Sequence, residues 1–317
     1  MEELLSPIYA NGALLALWGA LLFHWLLPIP HSAHPALLWH QFASLLASKV
    51  NRHHQPQQSA LSGTLAWLLM MMPLLVLLMA AKPLVWEPAL FEMALLMLAL
   101  EWRGSEHFAK AAIHALSTED KARSRTLLAT SVNRETERLS NLGLGKASAE
   151  TLIMGIGRNV ICVLFWYALL GGIGALTYRF AMELARAWSP SRARFHPFGR
   201  SAIRFLALIE LVPMRLFALT LLPGKSAAGV WQGLRTQAPH WPLPGPAWLL
   251  CTIGHKLQIS LGGPAFYDGV RAERSKIGGR IAPSALHLAQ VQALLTWRVT
   301  VWIVLISIIL ALVHQGL

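Results

Sequence analysis

The chain has 317 residues, 55% of them hydrophobic and only 13% charged, a composition that excludes an ordinary water-soluble protein and indicates a membrane environment. Its formal net charge is +12, and the basic residues lie between hydrophobic segments. This arrangement excludes a nucleic-acid binder, which needs a basic water-soluble face, and favours contact with anionic lipid and anionic substrates.

Hydrophobic runs predict a single membrane domain over residues 1–317 with an all-α, polytopic fold of five to seven transmembrane or re-entrant helices. The runs cover residues 10–28, 60–81, 84–100, 160–176, 205–222 and 299–313. Between the first two runs, residues 31–51 have apolar side chains at helical spacing. This segment predicts an amphipathic helix lying along the membrane interface.

Histidines cluster around this amphipathic segment, at His31, His34, His40, His53 and His54. No carboxylate lies at ligand spacing from them, and Cys162 and Cys251 lie in apolar surroundings without a metal-binding pattern. We therefore predict no metal site and no disulfide framework.

Residues 101–151 form the longest polar stretch, predicted to be a helical arm, and they contain eight lysines and arginines. A second basic loop of five arginines, residues 177–201, follows the apolar run 160–176. Both loops cannot be cytoplasmic if that run crosses the membrane once. Either the charge rule is broken here or the run re-enters the membrane.

Two further stretches have a composition suited to ligand contact. The run 205–222 contains Glu210 and Arg215, five residues apart, whose mutual pairing the spacing leaves open. Residues 259–281 form a glycine-rich C-terminal loop with tyrosine, aspartate and arginine, which is typical of a loop that approaches a ligand closely.

Several blocks in order along the chain resemble the CobD/CbiB family of cobalamin biosynthesis. They are HPALLWHQFASLL from His34, LSTEDKARSRTLL from Leu116, VNRETERLS from Val132, LFWYALLGGIGALTYR from Leu164, FGRSAIRF from Phe198, VPMRL from Val212 and LGGPAFYDGVRAER from Leu261. The family is taken to be adenosylcobinamide-phosphate synthase, a multi-pass enzyme of the bacterial inner membrane. It joins aminopropanol, or its phosphate, to a propionate of adenosylcobyric acid.

The resemblance implies a set of site residues. The catalytic candidates are Arg134, Glu135, Thr136 and Glu150, and the substrate-binding candidates are His34, Arg204, Arg215, Gly262, Gly263 and Tyr267. The arginines would neutralise phosphate and carboxylate charge, and Glu135 or Glu150 would hold a metal ion or accept the proton of the attacking amine. ATP and Mg²⁺ are implied as cofactors. The implied partners are the corrinoid, aminopropanol phosphate, the lipid bilayer and other membrane-bound cobalamin-assembly enzymes, with no nucleic acid.

The chain also departs from the family pattern. An NRET sequence stands where the family has a GRDT-like motif, and several later acids are replaced, so the remaining acidic candidates are Glu135, Glu150, Glu183 and Glu210. A catalytically degenerate member, acting as a regulatory membrane protein of the AmpE type, is therefore an alternative. A transporter of an anionic solute is a third interpretation.

Overall fold

The computed structural model describes residues 12–27, 34–51, 55–224 and 226–314. Most of these residues are helical. The helices are α1 (Gly12–Leu26), α2 (Pro35–Val50), α3 (Pro56–Ala81), α4 (Pro88–Ala99), α5 (Trp102–Ser117), α6 (Lys121–Ala129), α7 (Asn141–Ile156), α8 (Val163–Ala187), α9 (Arg200–Thr220), α10 (Ala227–Thr236), α11 (Pro244–Lys256) and α12 (Ala285–His314). A π-helical turn, Gly157–Cys162, joins α7 to α8.

The glycine-rich loop contains four short strands, which the all-α prediction did not include. They are β1 (Ser260–Gly262), β2 (Ala265–Tyr267), β3 (Val270–Ala272) and β4 (Lys276–Gly278). Strand β1 pairs antiparallel with β4, and β2 pairs antiparallel with β3 inside them. The four strands form one nested β-ribbon, and we use that name for residues 260–278. Its base is inside the bundle, since Leu261 and Ile277 are buried.

Helix α8 folds back on itself at Gly171. This residue has φ +67° and ψ −162°, and beyond it the chain returns alongside its first arm. Arg179 Nη1 donates to Asn159 Oδ1 at 3.0 Å, a contact that residues 20 apart in one straight helix would never make. The backbone N–H of Gly172 donates to the Glu92 carboxylate, which caps the second arm. The segment is thus a helical hairpin with its tip at Gly171.

The hairpin removes the conflict between the two basic loops. Because its arms are antiparallel, the polar stretches at its two ends lie on the same side of the bundle. Arg192 in the later stretch donates from Nη2 to Asn133 Oδ1 in the earlier one at 2.8 Å. The structure therefore agrees with the alternative in which the apolar run folds back, so that both basic loops lie on one side of the bundle.

The tip should not tolerate a side chain. A Cβ on Gly171 would lie 2.6 Å from a carboxylate oxygen of Glu92, in a backbone region that is essentially restricted to glycine. We expect Gly171→Ala to lower the free energy of unfolding by about 1–3 kcal/mol. Gly229→Ala is the matched control, because nothing lies within 4 Å of its Cβ position in α10 and alanine favours a helix. Thermal unfolding in detergent compares the two variants, and equal melting temperatures would contradict the hairpin.

Three segments in the described part of the chain are long and apolar enough to cross a membrane: Pro56–Leu84, Asn141–Ala187 and Ala285–Val313. The second is the hairpin, and the first confirms the predicted run 60–81, with Pro73 inside the helix. Helix α1 is a shorter apolar helix of 15 residues, and α4 has only 12. The prediction of five to seven spans is therefore not confirmed.

Helix α2 confirms the predicted amphipathic helix, but several of its large apolar side chains face away from the protein. Ala43 and Ala47 are buried against the bundle. The indole of Trp188 donates to the Ala43 carbonyl at 2.9 Å, so α2 runs beside the second arm of the hairpin. Four large apolar side chains of its periodic pattern are exposed, namely Leu37, Leu38, Phe42 and Leu45, whereas Leu46 and Val50 pack against the core. Small residues face the protein because they permit close packing, and several large ones face outward, as expected in contact with lipid.

Candidate functional site

Three polar segments meet at the end of the bundle where the hairpin begins and ends. They are the loop 130–140 of the arm, the loop 188–199 after α8, and the β-ribbon. The backbone N–H of Glu135 donates to the Phe266 carbonyl at 2.8 Å, and the N–H of Ala193 donates to Asp268 Oδ2 at 2.8 Å. Together with the Arg192–Asn133 bond, these contacts join all three segments, and we call this region the loop-end site.

The tip of the β-ribbon is a two-residue turn. Asp268 and Gly269 both have positive φ, +47° and +79°, as a type I′ hairpin turn requires. The N–H of Gly269 donates to the Glu135 carboxylate, whose other oxygen pairs with Arg138 Nε at 3.0 Å. The Glu135 side chain remains 30% exposed. Glu135 thus holds the tip of the ribbon while it remains accessible from solvent.

A buried carboxylate holds the base of the ribbon. Glu150 accepts from Arg134 Nη2 at 2.9 Å and from the N–H of Gly262 at 2.7 Å. Arg274 Nη2 lies 3.2 Å from the same carboxylate, and its Nε donates to the Gly263 carbonyl at 3.1 Å. Two guanidinium groups therefore surround one carboxylate, so this cluster has an excess positive charge beneath the ribbon.

Close contacts at the base of the ribbon require glycine at position 262. Gly262 has φ +72°, and a Cβ there would lie 2.2 Å from the Ser275 carbonyl oxygen and 2.9 Å from the Trp241 ring. The guanidinium of Arg274 lies over that ring, 5.3 Å from its centroid. The ribbon can approach Glu150 only because it has no side chain at this position.

Seven of the ten predicted site residues lie in the loop-end site or, as Glu150 on α7 does, bind it directly: Arg134, Glu135, Thr136, Glu150, Gly262, Gly263 and Tyr267. Thr136 is buried beside Arg134 in the chain, and its carbonyl accepts from the N–H of Leu139. Tyr267 is half-buried and pairs with Val270 across the turn. The arm and the glycine-rich loop, far apart in sequence, thus form one site.

The other three predicted site residues lie elsewhere. His34 caps α2, with Nδ1 accepting from the N–H of Ala36 and Nε2 3.1 Å from the Leu98 carbonyl. Burial, with a smaller effect from the nearby Arg179, lowers the pKa of His34. Arg204 is exposed on α9. The guanidinium of Arg215 lies 5.0 Å above the ring of Trp248. These three side chains lie in other parts of the bundle and take no part in the described hydrogen bonds that join the three segments of the site.

Glu210 and Glu183, the remaining acids of the family comparison, lie in two other buried clusters. Glu210 accepts two bonds from Arg158, at 2.8 and 3.1 Å, and does not pair with Arg215. Glu183 pairs with Arg179 at 3.0 Å and with His40 Nε2 at 2.7 Å. Both carboxylates are neutralised within the hairpin and its neighbours.

Sequence reasoning missed three residues that join the site, namely Arg192, Asp268 and Arg274. Asp268 and Arg274 lie within the block LGGPAFYDGVRAER that carries the resemblance, so that block contained the signal. Asp268 followed by Gly269 is also a recognised signal for a hairpin turn. Arg192 has no local signal, because its partner Asn133 is 59 residues away.

The donors of the site fit phosphate or carboxylate groups better than they fit a metal ion. Within the described residues there is no group of three or more His, Cys, Asp or Glu side chains that could hold a metal ion. Glu135 and Glu150 already accept bonds from arginine and backbone N–H groups. The side chains do not form a Mg²⁺ cage, whereas guanidinium groups match the geometry of phosphate and carboxylate oxygens.

Comparison with known proteins assigns the chain to a family. The sequence model of the family described as CobD/Cbib protein matches residues 17–297, which include the arm, the hairpin and the β-ribbon. The chain belongs to the CobD/CbiB family. The matched residues include all three segments of the loop-end site.

Curated relatives in the CobD/CbiB family have the name cobalamin biosynthesis protein CobD. The protein of Stutzerimonas stutzeri is 32% identical over 302 residues, which cover 92% of this chain and 96% of the relative. That of Chromobacterium violaceum is 34% identical over 223 residues, 70% of this chain and 67% of the relative. That of Klebsiella pneumoniae is 26% identical and covers 81% of this chain and 84% of the relative. No solved structure matches the chain.

Proposed function

We propose that this CobD/CbiB family member is an amide-forming enzyme of cobalamin biosynthesis in the bacterial inner membrane. It joins the amine of aminopropanol phosphate to a propionate carboxylate of adenosylcobyric acid. The observation that carries the proposal is the excess of arginine at the loop-end site, within a chain that matches the family over residues 17–297. The names of the curated relatives support a biosynthetic role and do not favour the regulatory alternative.

The site charge suits the two substrates, because both are anions. Two unit negative charges held about 5 Å apart repel each other by about 3 kcal/mol at an effective dielectric constant of 20. Arg134 and Arg274, with only Glu150 between them, leave one positive charge beneath the ribbon. Arg192 adds positive charge at its rim, whereas the charge of Arg138 is balanced by Glu135. This charge would lower the repulsion and hold the reacting groups together.

The reaction needs an activated acyl group, since an amine does not displace oxide from a carboxylate. The expected activation is phosphoryl transfer from ATP to the propionate. The amine nitrogen then attacks the acyl carbon, the carbon–oxygen bond to phosphate breaks, and phosphate leaves with the electron pair. Glu135 and Glu150 would not supply ligands to Mg²⁺, because their carboxylates are already engaged by N–H donors.

Glu135 is the residue that would accept the proton lost by the attacking amine. Its carboxylate is accessible, and its bonds to Gly269 and Arg138 fix its orientation. Glu150 is buried and is bound by two guanidinium groups and a backbone N–H. We therefore assign Glu150 to holding the ribbon over the arginines.

Complementation tests this function. The chain is expressed in a bacterium that lacks its own adenosylcobinamide-phosphate synthase, and growth that requires cobalamin is measured with cobyric acid as the precursor. We expect growth with the wild-type chain, and a loss of reaction rate of about 10²- to 10⁴-fold in Glu135→Gln, as for a removed general base.

Glu137→Gln is the matched control, because Glu137 is an exposed acid two residues further along the same loop. It should support growth like the wild type. No growth with wild-type protein present in the membrane would overturn the proposal. Equal growth of Glu135→Gln and Glu137→Gln would refute the role of Glu135.

A further inference from the structure

Arg298 lies where α12 changes from a mixed to an apolar sequence. Residues 285–298 include histidine, glutamine and threonine as well as Arg298, whereas residues 299–313 contain no charged side chain. This helix is one of the segments long and apolar enough to cross a membrane. An arginine at the start of such an apolar half is placed at the depth of lipid headgroups.

Two buried donors on this face of α12 have no acceptor. The Nε of Arg298 and the Nε1 of Trp302 are both buried without a hydrogen-bond partner in the part of the chain that the structure describes. The two residues are four apart, so they lie on one face of the helix. A buried donor without an acceptor costs about 1–3 kcal/mol, and two such donors on one face indicate an acceptor from outside the chain.

A second cation lies against the same face. The Trp302 ring packs edge-on against Phe217 of α9, with centroids 5.8 Å apart. Leu221 is one helical turn beyond Phe217, and Lys256 Nζ donates to the carbonyls of Leu221 and Pro223 at 2.9 Å each. The ring contact between Trp302 and Phe217 and the bonds from Lys256 to the carbonyls that follow α9 bring this ammonium into the neighbourhood of Arg298, whose positive charge acts on it.

The two cations have no described counter-charge between them. Burial, and then the positive charge of Arg298, lower the pKa of the Lys256 ammonium. The charge that acts on Lys256 is therefore of the same sign as its own. Like charges brought together beside an apolar helix favour an anion as the missing partner.

We propose that Arg298, Lys256 and Trp302 bind a phosphate group, supplied by the headgroup of an anionic membrane lipid. A phosphate offers several acceptor oxygens to the guanidinium, ammonium and indole N–H groups, which approach from two helices. Further along the same face of α12, Leu305 and Ile309 are exposed and offer apolar surface to the acyl chains. This continuous apolar surface favours a lipid over free phosphate, and the site is separate from the proposed catalytic function.

The test is native mass spectrometry of the full-length protein in detergent, titrated with phosphatidylglycerol, with phosphatidylcholine and with inorganic phosphate. We expect saturable binding of phosphatidylglycerol that weakens about tenfold or more in Arg298→Gln, as for a lost charge-assisted hydrogen bond. Arg298→Lys should retain part of the binding, since it keeps the charge. Arg123→Gln, which removes an exposed arginine on α6, should bind like the wild type.

Equal phosphatidylglycerol affinity in Arg298→Gln and the wild type would overturn the proposal. Binding of phosphatidylcholine as tight as that of phosphatidylglycerol would also overturn it, because the site would then not recognise negative charge. Displacement of the lipid by millimolar inorganic phosphate would refute the lipid as the source. If Arg298→Gln does not fold, Trp302→Phe removes the indole donor but keeps the ring, and unchanged affinity in that variant would likewise contradict the site.

Discussion

Replacing Glu150 with glutamine is expected to lower the free energy of unfolding by about 3–5 kcal/mol and to abolish activity, because the change leaves one buried and one partly buried guanidinium group without a counter-charge. Arg134 and Arg274 both contact this carboxylate, and its side chain is only 8% exposed. The same change weakens the bond to the N–H of Gly262, so the β-ribbon loses its anchor. Thermal and chemical unfolding in detergent measure the first effect, and amide formation measures the second.

The double variant Glu150→Gln with Arg274→Gln is the informative control. It removes one of the two positive charges, so it should recover part of the lost stability, as expected for residues in contact. It should not recover activity, because Arg274 also binds the Gly263 carbonyl and holds the ribbon. A Glu150→Gln protein as stable as the wild type would show that the contacts of Glu150 with Arg134 and Arg274 do not stabilise the fold.

Arg158→Met is expected to destabilise the protein by a similar amount, about 3–5 kcal/mol, because it leaves the Glu210 carboxylate buried and unpaired. Glu210 is fully buried, and besides the two bonds from Arg158 it accepts only a longer one from the hydroxyl of Tyr178, at 3.2 Å, among the contacts described. Unfolding measurements of the purified variant in detergent test this expectation.

The double variant Arg158→Met with Glu210→Met should regain most of the lost stability. Replacing both partners of a buried ion pair with apolar side chains is often neutral or stabilising. This outcome would show that the role of the Arg158–Glu210 pair in the fold can be filled by two apolar side chains. If the double variant were less stable than Arg158→Met alone, the pairing of these residues would be incorrect.

The sequence was sufficient to predict most of the helices, because hydrophobic runs and helical spacing report on them directly. The runs at 60–81 and 299–313 correspond to α3 and to the apolar half of α12. The sequence predicted the hairpin only as one of two alternatives for the run 160–176. Hydropathy does not record chain direction, and only the conflict between two basic loops pointed to a segment that returns to its starting side. The positive φ of Gly171 cannot be derived from its hydrophobic surroundings.

The candidate site was predictable in its composition but not in its contacts. The arm and the glycine-rich loop were both recognised, and the resemblance connected them. That Glu150 is enclosed by Arg134 and Arg274 depends on residues up to 124 positions apart, which no local pattern reveals. The same limit explains why Glu210 was considered with Arg215, its neighbour in sequence, when its partner Arg158 is 52 positions away.

The most direct test of the central claim is a reaction with purified protein. The full-length chain in lipid nanodiscs is incubated with adenosylcobyric acid, aminopropanol phosphate and ATP, and mass spectrometry follows the corrinoid. The account predicts a product whose mass is that of the corrinoid plus the amine minus one water, and a product yield that falls sharply in Glu135→Gln but not in Glu137→Gln. Cooperative unfolding of the wild-type protein serves as the control that it is folded. If the corrinoid mass is unchanged with such protein, the account is contradicted.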